Sequence, residues 1–516
     1  MQFTATRIAA AAALALVATA SVAAPNRPLT NYTTGTADVY MAGSSAVDLA
    51  LVKFVANACN PNTVDVYRSD AGVRTSYLMT CETDAANGGF ALPSGATKLA
   101  IHKNTNSSSD GVATVLNTAT TVNYLQVSDI ASTAGCTEVT VASTAGIAAY
   151  QLFTCGTTVG TAGAGTLVSS ATSTAGTLLT HFGFSDSEPL QYTTTANALQ
   201  LRSGYPFDLI FGIPVSKNLR DALQTQQGKT VGSEIEADMP SLTHSQINAI
   251  FTGKYLNWTD ALGVTIPGND NIYKLRRSNG SGTTRIFNAT FVGEFCTPGV
   301  LGTSVATVSP VTPTTECLPT AAIGATGGTL QMATSDDMAS CISTFNGAGA
   351  AAIGHLSTDY QPQAADGYRF VKVDGYAPTV LNVIDGKYKM WSELSMNYNN
   401  GRMATGITGT SPVAANNDAG AVFNRFKAAS ANAAFLSEVI GGLTQAGGWV
   451  GGLTGAAPNA LTGNAGFGLP AGASLLTPRT AASVLAYPAN PLTRVSQGRV
   501  NLCVPAVPSV AGYKAE

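Results

Sequence analysis

Two stretches in distant parts of the sequence share one local design, and that repetition constrains the fold more than any bulk property. The first is "ADVYMAGSSAVDLALVKFVANAC". Ala37 to Met41 alternates as a short strand, Ala42-Gly43 turns the chain, and Ser44-Ser45 caps a helix with Val47, Leu51, Phe54 and Val55 at helical spacing. The second, "YKLRRSNGSGTTRIFNATF", runs from Tyr273 to Phe291 and passes from an alternating segment through Gly, Ser and Thr into a helix. A helix start offers unpaired N–H groups and about half a positive charge, and small residues let an anion reach the backbone. Two such junctions predict an α/β chain with open sheets, whose ligands sit at the carboxyl ends of strands.

Other segments differ in kind. From about Leu116 to Thr180 the chain is rich in Thr, Ala, Gly and Ser, with β-branched runs such as "TEVTVAST", and reads as a β-rich insertion. Thr243 caps an amphipathic helix carrying Ile247, Ile250 and Phe251 that ends at Gly253. "DAGAVFNRFKAASANAAFLSEVIGGL" reads as one long helix stopped by Gly441-Gly442, and Gly/Ala/Pro-rich loops follow.

The N-terminus "MQFTATRIAAAAALALVATASVAAPN" has one Arg, an apolar stretch and small residues, the pattern of a secretory signal peptide cleaved near Ala23 or Ala24. No cysteine stands at the cleavage region to carry a lipid, so a periplasmic or secreted location is expected, with no stable membrane insertion. The eight cysteines suit an oxidising compartment. Short separations suggest Cys59–Cys81 and Cys136–Cys155. The other four, Cys296, Cys317, Cys341 and Cys503, pair in three ways, of which Cys296–Cys317 is the expected one. No CxxC spacing occurs and the four histidines are scattered, which argues against a metal site. A net charge of −3 and only 11% charged residues argue against nucleic acid as a partner.

Several blocks, in order, resemble the periplasmic phosphate-binding proteins of phosphate ABC transporters. They are "GSSAV" (Gly43–Val47), "SDSEP" (Ser185–Pro189), "FGIPVSKNLRDAL", "LTHSQINAIFTGKYLNWTD", "RRSNGSGTTRIF" (Arg276–Phe287), "GAAAIGHLSTDY" and "VKVDGYAPTVLNVIDGKYKMWSEL". The resemblance implies a two-lobe, hinged periplasmic binding protein fold of type II. It places the signal peptide at 1–24 and the first part of lobe I at 25–204, including the insertion at about 116–180. Lobe II follows at 205–390, and the return to lobe I with a C-terminal extension at 391–516. No cofactor is implied. The implied partners are phosphate or a similar oxyanion and, for uptake, an ABC permease.

The resemblance also implies a ligand set. Ser44, Ser45 and the N–H of Ala46 match the family's first helix start, and Ser281, Gly282 and Thr283 the second. Arg277 matches its arginine, and Asp186 matches the carboxylate of its "SD" block. A further serine is supplied by Ser107, Ser108 or Ser109, or else by Ser69. The family usually reads Arg-x-Asp-Gly-Ser-Gly-Thr, whereas Asn279 stands here at the acidic position. Asn accepts a hydrogen bond but carries no charge to repel a fully ionised anion, which weakens discrimination against sulfate. Trp258, Trp391, Tyr360, Tyr388 and His355 read as packing residues.

Binding is therefore the expected function, and no enzyme is expected. No G-x-S-x-G elbow or H-E-x-x-H motif is present. The alternative is a secreted or surface-located phosphate-binding-like protein with an adhesive, assembly or scavenging role, which the insertion and the C-terminal extension would serve.

Overall fold

The structure is a computed structural model. It describes residues 25–69, 76–83, 90–105, 107–116, 122–130, 136–143, 148–157, 166–167, 171–173, 180–193, 195–198, 200–206, 208–292, 317, 328–358, 360, 362, 364–379, 382–383, 386–399 and 418–430, with short strands at 492–493, 495–496, 499–500 and 507–508.

The first alternating segment forms the strand Thr36–Gly43, longer than the sequence suggested because Ala42 and Gly43 stay paired. It lies inside a sheet whose strands run in the order Leu201–Gly204, Ser395–Asn399, Phe182–Ser185, Thr36–Gly43, Lys98–Asn104, Ser76–Glu82, Asp65–Ser69, Tyr150–Thr157 and Thr137–Val141. Apolar Val39 and Met41 are fully buried beneath the helix Asp48–Ala58, whose Leu51, Phe54 and Val55 face the same core. The second sheet runs Ser241–Leu242, Tyr368–Val373, Asp208–Ser216, Ala352–Ile353, Tyr273–Arg277 and Gly328–Met332, with two further short strands on Asp208–Ser216. This is the mixed α/β, two-sheet architecture expected.

A two-stranded ribbon joins the sheets. Leu201–Gly204 pairs antiparallel with Ser395–Asn399 in the first sheet, and Asp208–Ser216 pairs antiparallel with Trp391–Glu393 in the second. Only Leu394 separates Trp391–Glu393 from Ser395–Asn399. A narrow ribbon of this kind concentrates bending in a few residues.

The β-rich insertion does not form a separate body. Its strand Tyr150–Thr157 pairs in parallel with Asp65–Ser69, and Thr137–Val141 continues the same sheet, pinned by Cys136–Cys155. Cys59–Cys81 also forms as expected. The expected Cys296–Cys317 pair does not: Cys317 bonds Cys341. Cys341 is on the helix Ser335–Gly347, whose buried face meets Cys317 in the core of the second sheet. Cys296 and Cys503 lie outside the described residues, as do the expected signal peptide, Gly441-Gly442 and the part of the expected long helix beyond Asp418–Ser430. The capped helix appears as His244–Phe251, with Thr243 and Gln246 forming a reciprocal cap. Among the described residues no helix is long and apolar enough to cross a membrane.

One close approach sets the end of the first sheet. The helix Asp110–Leu116 presses Gly111 onto the Phe184 carbonyl, where an added Cβ would come within 2.0 Å of the oxygen. Backbone offers no flexible end to move aside. Gly111→Ala is therefore expected to lose about 1–3 kcal/mol in urea unfolding. Gly347→Ala, whose new carbon meets nothing within 4 Å, should leave stability unchanged or slightly raised. Equal stability of the two variants would refute the close-packing account.

Candidate anion-binding site

Strand register brings the first group of residues together. Gly43 pairs with Phe184 and Ala42 with Asn104, so three adjacent parallel strands end side by side. Their loops carry Ser44, Ser107–Ser109 and Asp186. Gly43 takes φ +110°, a conformation that disfavours side chains, and a Cβ there would also strike the Phe184 carbonyl oxygen. This bend lets Ser44 N–H donate to Phe184 O at 3.0 Å and turns the Ser44 hydroxyl onto the Asp186 carboxylate. Asp186 N–H in turn donates to Ser108 Oγ at 3.2 Å.

The second sheet supplies the other half. Arg277 ends the strand Tyr273–Arg277, and a tight turn closed by Ser281 N–H to Ser278 O leads into the helix Gly282–Phe287. The parallel neighbour pairs Met332 with Arg277, which places the start of the helix Ser335–Gly347 beside the guanidinium. Arg277 donates to Ser335 Oγ from Nη1, while its buried Nε has no hydrogen-bond partner among the described residues. Nine residues line the resulting cleft: Ser44, Ser45, Ser107, Ser108, Asp186, Arg277, Ser281, Gly282 and Thr283. The enclosed space is about 210 Å³ with its mouth included, below the span of ordinary drug-sized pockets. A small anion suits it better than a large phosphorylated molecule.

The two halves touch directly. Ser109 N–H donates to Gly280 O at 3.0 Å. A Cβ on Gly282 would lie 2.5 Å from Asp186 Cβ and 2.6 Å from Ser108 Oγ, so glycine is what allows this approach. Arg285 also crosses to stack over the Tyr192 ring at 5.3 Å, and the Tyr192 hydroxyl is bonded to Ser187 Oγ.

Electrostatics follow from burial. Loss of solvent pushes the Asp186 carboxyl up from its ordinary range, and hydrogen bonds from Ser44 and Ser108 and the charges of Arg277 and Lys103 oppose that rise. Burial lowers the Arg277 guanidinium from an ordinary value so high that it stays charged, with Tyr360, Asp186, Asp337 and Asp336 supporting the charge. The site thus combines one buried cation, one carboxylate and several hydroxyl groups, a set that fits an oxyanion carrying a proton. Among the described residues no cluster of His, Cys, Asp and Glu has the arrangement of a metal centre.

Four expected ligand residues stand apart from the lining. Asn279 is exposed on the outer side of its turn, where its backbone carbonyl accepts from Arg285 Nε. The N–H of Ala46 is taken by Ser44 Oγ at 3.1 Å, and Ala46 itself is buried behind the loop. Ser109 bonds Ser107 Oγ and braces Gly280 rather than facing the cleft. Ser69 ends a strand paired with Cys155 of the insertion, and its side chain lies outside the described residues. Arg276 is buried near His355 on the opposite side of the strand, as alternation requires. His355 stacks on Phe287 at 4.7 Å, and burial holds its ring well below its usual range, hence neutral. Trp258, Trp391 and Tyr388 are core residues, and Tyr360 is partly buried. Sequence reasoning missed Ser335, although the cap "TSDD" before an apolar helix marks that helix start.

Part of the chain matches a known family model. Residues 225–426 match the family model of a PBP superfamily domain. No curated protein matches the chain. Among solved structures, one described as a phosphate ABC transporter substrate-binding protein with bound phosphate, from Clostridium perfringens, is 15% identical with a TM-score of 0.37, covering 79% of this chain and 98% of its own. An ABC-type phosphate transport receptor from Vibrio cholerae is 15% identical with a TM-score of 0.29, covering 52% and 79%. PstS from Borrelia burgdorferi is 11% identical with a TM-score of 0.29, covering 70% and 87%. Residues 225–426 thus resemble a PBP superfamily domain, and the described residues form a mixed α/β fold of two sheets joined by a strand ribbon.

Proposed function

We propose that the protein is an exported solute-binding protein that captures a small oxyanion, inorganic phosphate first, between its two sheets. The two lobes are the parts built on those sheets, and the ribbon between them is the hinge. The observation that carries this reading is the cleft lining itself. Hydroxyls, the Gly282 region and a buried arginine with an unpartnered Nε converge on one small space. Charge-assisted hydrogen bonds there are worth roughly 1.5–3 kcal/mol each.

Asp186 is the acid of this site, since Asn279 is neutral and exposed. An ionised Asp186 accepts the proton of a protonated phosphate and repels sulfate, which has none to give. In uptake, a separate ABC permease would receive the closed protein.

Calorimetric titration of the dialysed chain with phosphate and sulfate tests the proposal. Phosphate is expected to bind tightly and sulfate weakly. Arg277→Ala should weaken phosphate binding at least 100-fold, about 2.7 kcal/mol, and unchanged affinity in that variant would sink the assignment. Asp186→Asn should shift the phosphate-to-sulfate preference at least tenfold toward sulfate. Gly282→Ala should weaken phosphate at least tenfold by holding the halves apart, without lowering the unfolding midpoint. An affinity equal to wild type would mean that closure at Gly282 is not needed.

A further inference from the structure

Lys103 sits in the strand Lys98–Asn104 with no solvent exposure, one strand away from the Ser44 loop. Its ammonium donates to Gly43 O at 2.8 Å, Asn104 O at 2.9 Å, Ser44 O at 3.1 Å and Thr105 Oγ1 at 3.2 Å. Asp48 Oδ1 lies 3.3 Å away, and Thr105 gives its own hydroxyl hydrogen to Asp48. All five oxygens face Lys103 as acceptors, and an ammonium has only donors. Burial pushes the group down, while Asp48 first, then Asp186 and Asp110, favour its charge.

The backbone consequence is specific. In a trans peptide the C=O and the following N–H point in opposite directions, and no cis peptide occurs among the described residues. Lys103 draws the Ser44 carbonyl inward, which turns Ser45 N–H outward, and Ser45 lines the cleft. The neighbouring N–H groups are occupied: Ser44 donates to Phe184 O, and Ala46 donates to Ser44 Oγ. Ser45 N–H is therefore the donor this loop keeps for the cleft.

We infer that Lys103 is the positioning residue of the first anion loop, clamping the Gly43 and Ser44 carbonyls so that Ser45 N–H faces the bound oxyanion. The inference rests on the anion-binding reading of the cleft. It adds a buried cation that touches no ligand and acts through the peptide it holds, with its charge also set behind the Ser44–Asp186 contact.

The test follows backbone amide resonances of the full chain, labelled with nitrogen-15, together with phosphate affinity. In Lys103→Met without any anion, the Ser45 amide should move and exchange faster with solvent. Phosphate binding should weaken at least tenfold, while the Gly282 amide still responds to phosphate. Phosphate affinity within twofold of wild type overturns the role of Lys103 and leaves the cleft reading standing. A displaced Ser45 amide in the variant, alongside a wild type that answers neither phosphate nor sulfate, supports the clamp and sinks the anion reading. If Lys103→Met does not fold, the Lys103 ammonium resonance of the wild type decides. A slowly exchanging signal that shifts on phosphate saturation supports the inference, and one that stays fixed overturns it.

Discussion

The Phe184 carbonyl oxygen is the point around which the first half of the site is assembled. It accepts Ser44 N–H, and it sits where a side chain on Gly43 or Gly111 would come within 2.0 Å. Two glycines from different segments thus meet one backbone atom, and the loops of three neighbouring strands are forced into a single rim. Without that convergence Ser44, Ser108 and Asp186 would end adjacent strands without sharing a surface. The cost of burying so many polar groups is met by mutual hydrogen bonding, which fixes their orientation as well.

The second half uses a different device. Arg277 is held by Ser335, which is not among the cleft-lining residues, and Asp336 and Asp337 support its charge. Its counter-charge within the cleft comes from the opposite sheet, in Asp186. A site divided in this way has each half electrostatically incomplete alone. On the proposed function, approach of the sheets and completion of the charge set would be one event.

Much of this was legible in the sequence because it depends on local chemistry. Gly-Ser junctions after alternating segments declare helix starts wherever they occur, and the spacing of the resembled family motif selects Arg277 over Arg276. Ser44, Ser45, Asp186, Ser281, Gly282 and Thr283 all line the cleft. The rest depended on three-dimensional detail. Asn279 occupies a motif position, yet its turn points it outward. Ala46 N–H is consumed by a serine two residues earlier, which spacing does not reveal. The pairing of Cys317 with Cys341 needed knowledge of which helix face covers the second sheet. Lys103 was invisible because a lysine between His102 and Asn104 at the polar end of a strand ordinarily signals exposure.

The insertion has a mechanical consequence. In the first sheet, Thr137–Val141 lies at the edge opposite Leu201–Gly204, with eight strand spacings between them. At about 4.8 Å per spacing that is roughly 38 Å along the sheet. The added strands therefore extend the first sheet far from the ribbon that joins it to the second. If the ribbon is the hinge proposed above, a relative turn of ~10° about it would carry their tip ~7 Å while the residues near Leu394 hardly move. Under the proposed anion capture, closure of the cleft would thereby displace a remote β-edge.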